Sequence, residues 1–590
     1  MSESKTCQNC KGDFILETED TEFYTRMQVP HPTFCPDCRL QRRLAFRNER
    51  FLYKNKSAKS GKDILSIYSP DKNMTIYELK EWNAGDWDPG KYGKPYSFEE
   101  NFFTQFEKLL REVPQPALVN WDAHNSEYCN FTYGNKNCYL VFGGDFNEDC
   151  SYSSFSFYTK NSQDLYWINK SELCYQIIDG DELYNASFCQ FTKSSNDVDF
   201  CFDVIGCQDC FGCVNLRNQN HYFFNKKYSP EEYKKLRKEV DLGSYKTLQE
   251  VKEKFNEERL NSIFRATRMV NSVNSTGDNI HNSKNCKRCF DVFDGSENCR
   301  DIFLVSAGVK DSHSCDHIGL NSELCYDSIS IYPGNKVLFS WIVVNSHDIE
   351  YSINCQDCSH LFGCVGLRNK EYCILNKQYT KEEYEELVPR IKKHMSDMPY
   401  TDQKGRIYKY GEFFPPELSP FAYNETIAQE YFPLTKEEAL NQGYAWKDQD
   451  TKDYQPTIQA QDLPDHIEDT DDSITKEIIA CAHQGACNHQ CTTAFKIIPA
   501  EFQFYKRKKL PLPRLCPNCR HYERLAQRNP LRLWKRQCMC KGTTSENNAY
   551  ANTAEHSHGD KPCPHEFETS YDPKRPETIY CEECYKKEVA

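Results

Sequence analysis

The sequence predicts a multidomain, mainly β protein with helical linkers, in which small cysteine-clamped ribbons at both ends flank two duplicated, cysteine-rich, β-solenoid-like repeats. Three observations predict it. Over 590 residues, a cysteine-bearing module is written once near each end. Between the two copies lie two cysteine-dense blocks that also copy each other. Within each block, short alternating segments bounded by turn formers recur at an interval of about 11–12 residues, the pattern of strands stacked in a coil.

The first module, residues 1–50, reads CQNCKGDFILETEDTEFYTRMQVPHPTFCPDCRLQRRLAFRNE from its first cysteine, and its second copy is assigned to residues 478–530. From Cys10 to Asn48 the second copy follows at a constant offset of 481. Cys10 falls on Cys491, Phe23-Tyr24 on Phe504-Tyr505, Cys35 and Cys38 on Cys516 and Cys519, and Arg39, Arg43 and Arg47 on Arg520, Arg524 and Arg528. Two cysteine pairs about two dozen residues apart can close a four-thiolate tetrahedral zinc site. The predicted ligands are Cys7, Cys10, Cys35 and Cys38 in the first copy and Cys487, Cys491, Cys516 and Cys519 in the second. A closed site of this kind has no open position for water or substrate, so its default role is structural. It contributes ~10–16 kcal/mol of apparent binding energy, which a short unit with little core needs. The module resembles the short bacterial zinc-ribbon domain of the form CxxC…F…E..FY…P..CP.CR. That resemblance implies a metal-binding fold and a binding role rather than a reaction.

Residues 51–120 carry Trp82, Trp87 and the helical pattern of FEENFFTQFEKLLREV, and predict an α+β bridge to the first block. The blocks span 121–228 and 271–379, with nine cysteines each. Lys136-Asn137-Cys138 in the first matches Lys284-Asn285-Cys286 in the second, and Cys207-Gln208-Asp209-Cys210 matches Cys355-Gln356-Asp357-Cys358. One coil is expected to take about two of the recurring segments, with the cysteines packed inside as small apolar thiols. The spacing of Cys207, Cys210 and Cys213 leaves a metal knuckle as the alternative.

Each block ends in a helix signal. Ser229-Pro230-Glu231-Glu232 supplies an N-cap, a proline at the first helical position and two acids, and Thr380-Lys381-Glu382-Glu383 repeats most of it. These predict a helical linker over 229–270, continuing amphipathically through Leu248, Val251, Phe255, Leu260, Ile263 and Phe264, and a capping helix over 380–395. Residues 396–477, rich in Pro, Asp, Tyr and Gln, read as an extended acidic arm. Residues 531–590 form a third ribbon. Cys581-x-x-Cys584 is its clear knuckle, while Cys538, Cys540, His556, His558, Cys563 and His565 compete for the other two places. The predicted ligand set is Cys538, Cys540, Cys563, Cys581 and Cys584. The chain should therefore hold about three zinc ions.

Mean hydropathy is −0.78 and no apolar run is long enough for a membrane span. The first residues carry no apolar secretory core, which leads to a cytoplasmic, reducing setting in which the 32 cysteines stay as thiols or metal thiolates. Net charge is −14 but uneven: 487–536 carries 12 Lys+Arg against Glu501 and Glu523, while 448–477 carries 10 Asp+Glu against Lys452 and Lys476. Arg39, Arg43 and Arg47, and in the second copy Arg520, Arg524 and Arg528 with Lys506, Arg507, Lys508 and Lys509, form a basic stripe that would suit a phosphate backbone. The competing expectation is that this stripe pairs with the protein's own acidic segments.

No Gly-rich phosphate loop, H-E-x-x-H or G-x-S-x-G occurs. Asp203/Asp209 and Asp348/Asp357 are candidate acidic pairs for a solenoid-borne enzyme, although Asp at strand corners more commonly serves the turn. The CPDCRxxRRLAxRNE start, the NLRN…FNKxYSxEEY blocks and the EFETSYxPxRP…YCxxCY tail resemble a family of cysteine-rich bacterial zinc-ribbon proteins. Some members carry a CoA-transferase-type label, for which no supporting residues are present here. The expectation is a non-enzymatic zinc protein acting on a protein partner, with nucleic acid as the alternative partner.

Overall fold

A computed structural model describes residues 2–448 and 455–589. The chain is mostly β, with twelve α-helices among the described residues and two large, mainly parallel sheets at its centre.

The first sheet runs in chain order from Tyr139–Phe142 through Ser151–Phe157, Tyr166–Asn169, Ile178–Ser187, Lys193–Asp199 and Gln208–Phe211 to Asn220–Phe223. Its register is regular: Ser154 lies beside Tyr166, which lies beside Ile178. The same step holds outside the strands, where Lys136, Glu148, Lys160 and Glu172 form successive bridges. The chain therefore returns to the same place after one 12-residue segment, not after two as the sequence suggests; Asn137 reaches Asp149 across this spacing of 12.

The cause is a backbone period of three. From Phe131 to Phe224 every third residue has positive φ, including Asn137, Asp149, Asn161 and Asp164 but also Leu140, Tyr152, Phe155 and Trp167. A left-handed residue after each pair of extended ones turns the chain a quarter of the way round. Asn and Asp tolerate that conformation, whereas it strains bulky side chains by about 1–3 kcal/mol each unless the surroundings fix it. Pass-to-pass hydrogen bonds supply the constraint: Tyr139 N donates to Cys150 O at 3.0 Å, and Asp149 N to Lys136 O at 3.0 Å. Side-chain pairs such as Asn169–Asp181 (3.0 Å) and Asn185–Asp197 (2.6 Å) join the passes along the outside.

Only small or slender side chains fit the interior of so narrow a pass. Cys138, Cys150, Ser162, Cys174, Ala186, Val198 and Cys210 stand in one buried column. Their thiols satisfy themselves locally. Cys138 Sγ donates to Lys136 O (3.4 Å) or Asn147 O (3.5 Å), and Cys150 Sγ to Thr159 O (3.3 Å). The second sheet, from Met269–Val270 to Lys377–Gln378, repeats the arrangement with looser spacing. Phe290, Phe303, Asp316, Ile329 and Trp341 are successive neighbours, three steps of 13 residues and then one of 12.

Both helix signals operate as read. Ser229 caps Pro230–Glu239 and exchanges hydrogen bonds with Glu232, and Thr380 does the same with Glu383 at the head of Lys381–Asp397. The linker helix stops earlier than its periodicity suggests. It spans Tyr245–Leu260, and Ile263–Arg265 instead pairs in parallel with Thr578–Tyr580 of the tail. In the 51–120 region, helix Phe102–Glu112 buries Phe102, Phe103 and Phe106, with Phe102 edge-on to Tyr351 and Phe362 of the second block.

The arm expected over 396–477 differs most from expectation. Residues 449–454 of it lie outside the described residues. Its first part is core: Tyr408, Phe413, Phe414, Phe421 and Tyr423 are buried together with Phe46, Phe106 and Trp341. Aromatic side chains, rather than the prolines and acids around them, decide the packing of this segment. Its acidic remainder lies along the second ribbon copy, with Asp472 4.0 Å from Lys506.

Candidate metal centres

The two terminal modules have the same frame. A short antiparallel pair (Glu3–Thr6 with Asp13–Leu16; Ile479–Ala480 with Ala494–Phe495) presents the first cysteines. A helix follows, Thr18–Met27 or Pro499–Lys508, and ends at a left-handed residue, Gln28 or Lys509. A second helix, Pro36–Leu44 or Pro517–Leu525, starts at a capping cysteine with proline in its first turn. The CPxC sequence thus places Cys35 and Cys38, or Cys516 and Cys519, one helical turn apart.

In the first module Cys7, Cys10, Cys35 and Cys38 converge, with Cys10 Sγ 3.7 Å from Cys35 Sγ. In the second, the converging set is Cys481, Cys491, Cys516 and Cys519, all buried, with Cys481–Cys519 at 3.8 Å and Cys491–Cys516 at 4.0 Å. Cys481 was missed by the sequence reading, and Cys487 does not take the place assigned to it. The equivalence is visible in the backbone: Cys35 N donates to Cys7 Sγ at 3.2 Å, and Cys516 N to Cys481 Sγ at 3.3 Å. The signal available in sequence was the apolar Ile478-Ile479-Ala480 run, whose last two residues form the strand leading into Cys481. Cys487 instead joins His483, His489 and Cys519 in a neighbouring group.

The tail repeats this pairing of groups. Cys538, Cys563, Cys581 and Cys584 converge, all buried, with Cys563 3.9 Å from Cys581 and 3.8 Å from Cys584. Cys540, His556, His558 and Cys584 form the second group. His565 is exposed, with Nδ1 3.6 Å from Cys581 Sγ.

In every four-thiol group the sulfurs are close enough to compete for protons. Hydrogen bonds from Cys35 and Cys38 push Cys7 down, while Cys38 and Cys7 push Cys35 up. Cys481 and Cys519 push Cys516 down, and Cys538 and Cys584 push Cys581 down. Four converging thiols with one already favoured as thiolate form a donor set that a cation would complete. Each terminus therefore carries at least one four-cysteine group able to hold a metal ion.

The helix arginines of the predicted basic stripe do not face solvent. Arg39, Arg43, Arg47, Arg520, Arg524 and Arg528 are all buried. Arg43 Nε donates to Asp316 at 2.6 Å and its Nη1 to Asp327; Arg39 meets Asp301 at 3.6 Å and Tyr326 OH at 3.2 Å. Arg47 pairs with Glu49 at 2.6 Å. Arg524 Nη1 lies 2.7 Å and Arg520 Nε 3.3 Å from Asp164, and Arg528 joins Asp179 and Asp291 at 3.2 and 2.9 Å. The first terminal module thus docks on the second block, and the second module on the first block. Arg528 spans both blocks. Of the loop cations, Lys508 donates to Leu173 O and Asn185, Arg507 lies 3.5 Å from Asn161, and Lys506 and Lys509 line a surface cleft with Asp241, His466 and Glu468.

The candidate acidic pairs are likewise engaged. Asp203 binds Arg217 at 2.8 Å, Asp209 faces His221 at 3.5 Å, Asp348 binds Lys336 at 2.6 Å, and Asp357 accepts from Asn345 at 2.5 Å.

No family model and no curated protein matches the chain. Among solved structures, similarity is found to a "putative acetyltransferase" from Desulfovibrio desulfuricans G20, at 9% identity over 58% of this chain and 96% of that one, with a TM-score of 0.10. At that score the likeness carries no argument about fold or activity. Among the described residues no helix is long and apolar enough to cross a membrane.

Proposed function

We propose that this protein is a non-enzymatic zinc-binding scaffold in which metal-closed ribbons clamp two narrow β-solenoids, leaving the outer solenoid surface for a protein partner. The observation that carries this reading is the sulfur spacing. Zinc–sulfur bonds of ~2.3 Å in a tetrahedron place sulfurs ~3.8 Å apart, and the closest contacts within the four-thiol groups run from 3.7 to 4.0 Å. Soft thiolates in a tetrahedral set favour zinc over the hard divalent cations. The reading of each block as a solenoid rests on the regular register, in steps of 12 residues in the first block and mostly of 12 or 13 in the second, and on the three-residue backbone period. In this account, zinc fixes each ribbon and the ribbon's arginines fix the two solenoids.

The solenoid surface offers a contact ladder. Tyr133, Phe146 and Tyr158 are 45%, 44% and 55% exposed, and the Phe146 and Tyr158 rings stack at 5.0 Å. Stacked aromatics with a polar surround suit a protein partner. The nucleic-acid alternative loses its main residues to internal ion pairs. The test is binding of the full-length protein to RNA and duplex DNA across a salt titration. The scaffold reading expects no salt-steep binding; tight binding whose affinity falls steeply with salt would replace it with the nucleic-acid reading.

A further inference from the structure

We infer that the second terminal ribbon and the tail ribbon each hold two zinc ions bridged by one thiolate, Cys519 in the former and Cys584 in the latter. This rests on the zinc reading of the four-thiol groups and extends it from three ions to five.

Each of these modules carries two complete donor sets that share one cysteine. In the second ribbon, Cys481, Cys491, Cys516 and Cys519 form the first set, and His483, Cys487, His489 and Cys519 the second. Cys519 Sγ lies 3.8 Å from Cys481 Sγ of one set and 3.7 Å from Cys487 Sγ of the other. In the tail, Cys584 Sγ lies 3.8 Å from Cys563 Sγ of the first set and 3.4 Å from His558 Nε2 of the second. A thiolate has lone pairs enough for two metal ions. The outer sets are each two imidazoles and two thiolates, a closed tetrahedral donor set for zinc. A second divalent ion adds two positive charges against one further thiolate, so it lowers the net negative charge of a buried cluster.

The imidazoles are prepared for this. His483 Nδ1 and His489 Nδ1 are buried without a hydrogen-bond partner, and the His489 ring is held flat against Tyr522, the planes 3° apart. In the tail, His556 Nε2 meets Glu588 at 2.9 Å and His558 Nδ1 meets Lys561 O at 2.6 Å. Such partners on one ring nitrogen orient the other as a ligand. Asn552 Nδ2 donates to Cys540 Sγ at 3.2 Å, which supports it as a thiolate.

The first ribbon is the internal control. Cys38 corresponds to Cys519, but its sulfur accepts a hydrogen bond from Asn9 Nδ2 at 3.3 Å. Only Gln8 and Asn9 separate Cys7 from Cys10, where residues 482–490 separate Cys481 from Cys491 and carry His483, Cys487 and His489. The longer knuckle is the insertion of a second metal site.

The experiment is zinc analysis and zinc-edge X-ray absorption on the full-length protein purified without chelator. It is repeated on the variant His483→Ala/His489→Ala and on His556→Ala/His558→Ala. Five ions per chain, mixed sulfur and imidazole coordination, a zinc–zinc scattering path, and the loss of one ion in each double variant are expected. Three ions with an all-sulfur shell, unchanged in either variant, would overturn the inference while leaving the four-thiol sites intact. Absence of zinc altogether would overturn both. A variant that loses both ions of its module is distinguished from misfolding by hydrogen exchange of helix Pro517–Leu525 or Glu582–Val589. If the helix stays protected while both ions are lost, the two ions are one cluster, as inferred; if it is exposed, cobalt substitution of the intact protein decides, and an absence of imidazole coordination would overturn the inference.

Discussion

Neutralising Asp164 should release the second ribbon from the first block. Its carboxylate is wholly buried, accepts from Arg524 Nη1 at 2.7 Å and lies 3.3 Å from Arg520 Nε. Asp164→Asn keeps the volume and suits the positive φ of 56° at this position. Arg520 retains Glu501 at 3.1 Å, so Arg524 is the cation left without a carboxylate. With charge centres ~4 Å apart and an effective dielectric of ~20, the lost attraction is about 4 kcal/mol. That agrees with the ~3–5 kcal/mol found when one partner of a buried pair is removed. Because a chain of several units does not unfold in one step, the readout is hydrogen exchange of the amides in Pro517–Leu525. About 4 kcal/mol corresponds to roughly a thousandfold faster opening of this helix. The double variant Asp164→Asn/Arg524→Met should recover much of the protection, since it removes both buried charges. A change below about tenfold in Asp164→Asn would refute the claim that buried arginine pairs hold ribbon to block.

Three further outcomes follow from the same structure. Burial pushes Glu430 up from 4.5 to about 7 against the opposing effect of Arg50, a cost of about 3 kcal/mol once the group is ionised. Between those pH values the folded chain holds a proton that the unfolded chain releases, so this group's contribution to stability falls as pH rises. Glu430→Gln should therefore match the parent near pH 5 and melt higher at pH 8; equal melting differences at both pH values would be the contrary result. The block thiols are buried, and burial pushes Cys174 and Cys325 up to about 12, so alkylation followed by mass spectrometry should modify these two only after denaturation. Cys516→Ser should lose metal and order in the second ribbon, whereas Cys201→Ser, within the first block, should leave the metal content unchanged; elemental analysis separates them.

The terminal modules were legible because metal-ligand spacing is a local property of sequence. Cys35 and Cys38, and Cys516 and Cys519, lie one turn apart by necessity once CPxC opens a helix. The first knuckle of the second copy was not, because Cys487-x-x-x-Cys491 mimics Cys7-x-x-Cys10 in spacing, while it is Cys481 whose sulfur stands where Cys7 does in the first copy. The pass length of the blocks was misjudged for a different reason. Its basis is a left-handed residue at every third position, and Leu140, Phe155 and Trp167 occupy such positions without any local preference for them. Only stacking on the previous pass selects that backbone. The arginine stripe was seen as a stripe, but its direction depends on Asp164, Asp179, Asp291, Asp316 and Asp327, which are hundreds of residues away. The helix signals at Ser229 and Thr380 needed no such distant information and were read as they stand.

Zinc analysis with X-ray absorption on the intact protein tests the central claim most directly. The account predicts at least three tightly held zinc ions per chain with sulfur predominant in their coordination. Less than one zinc per chain after chelator-free purification, or a shell dominated by oxygen, would contradict it.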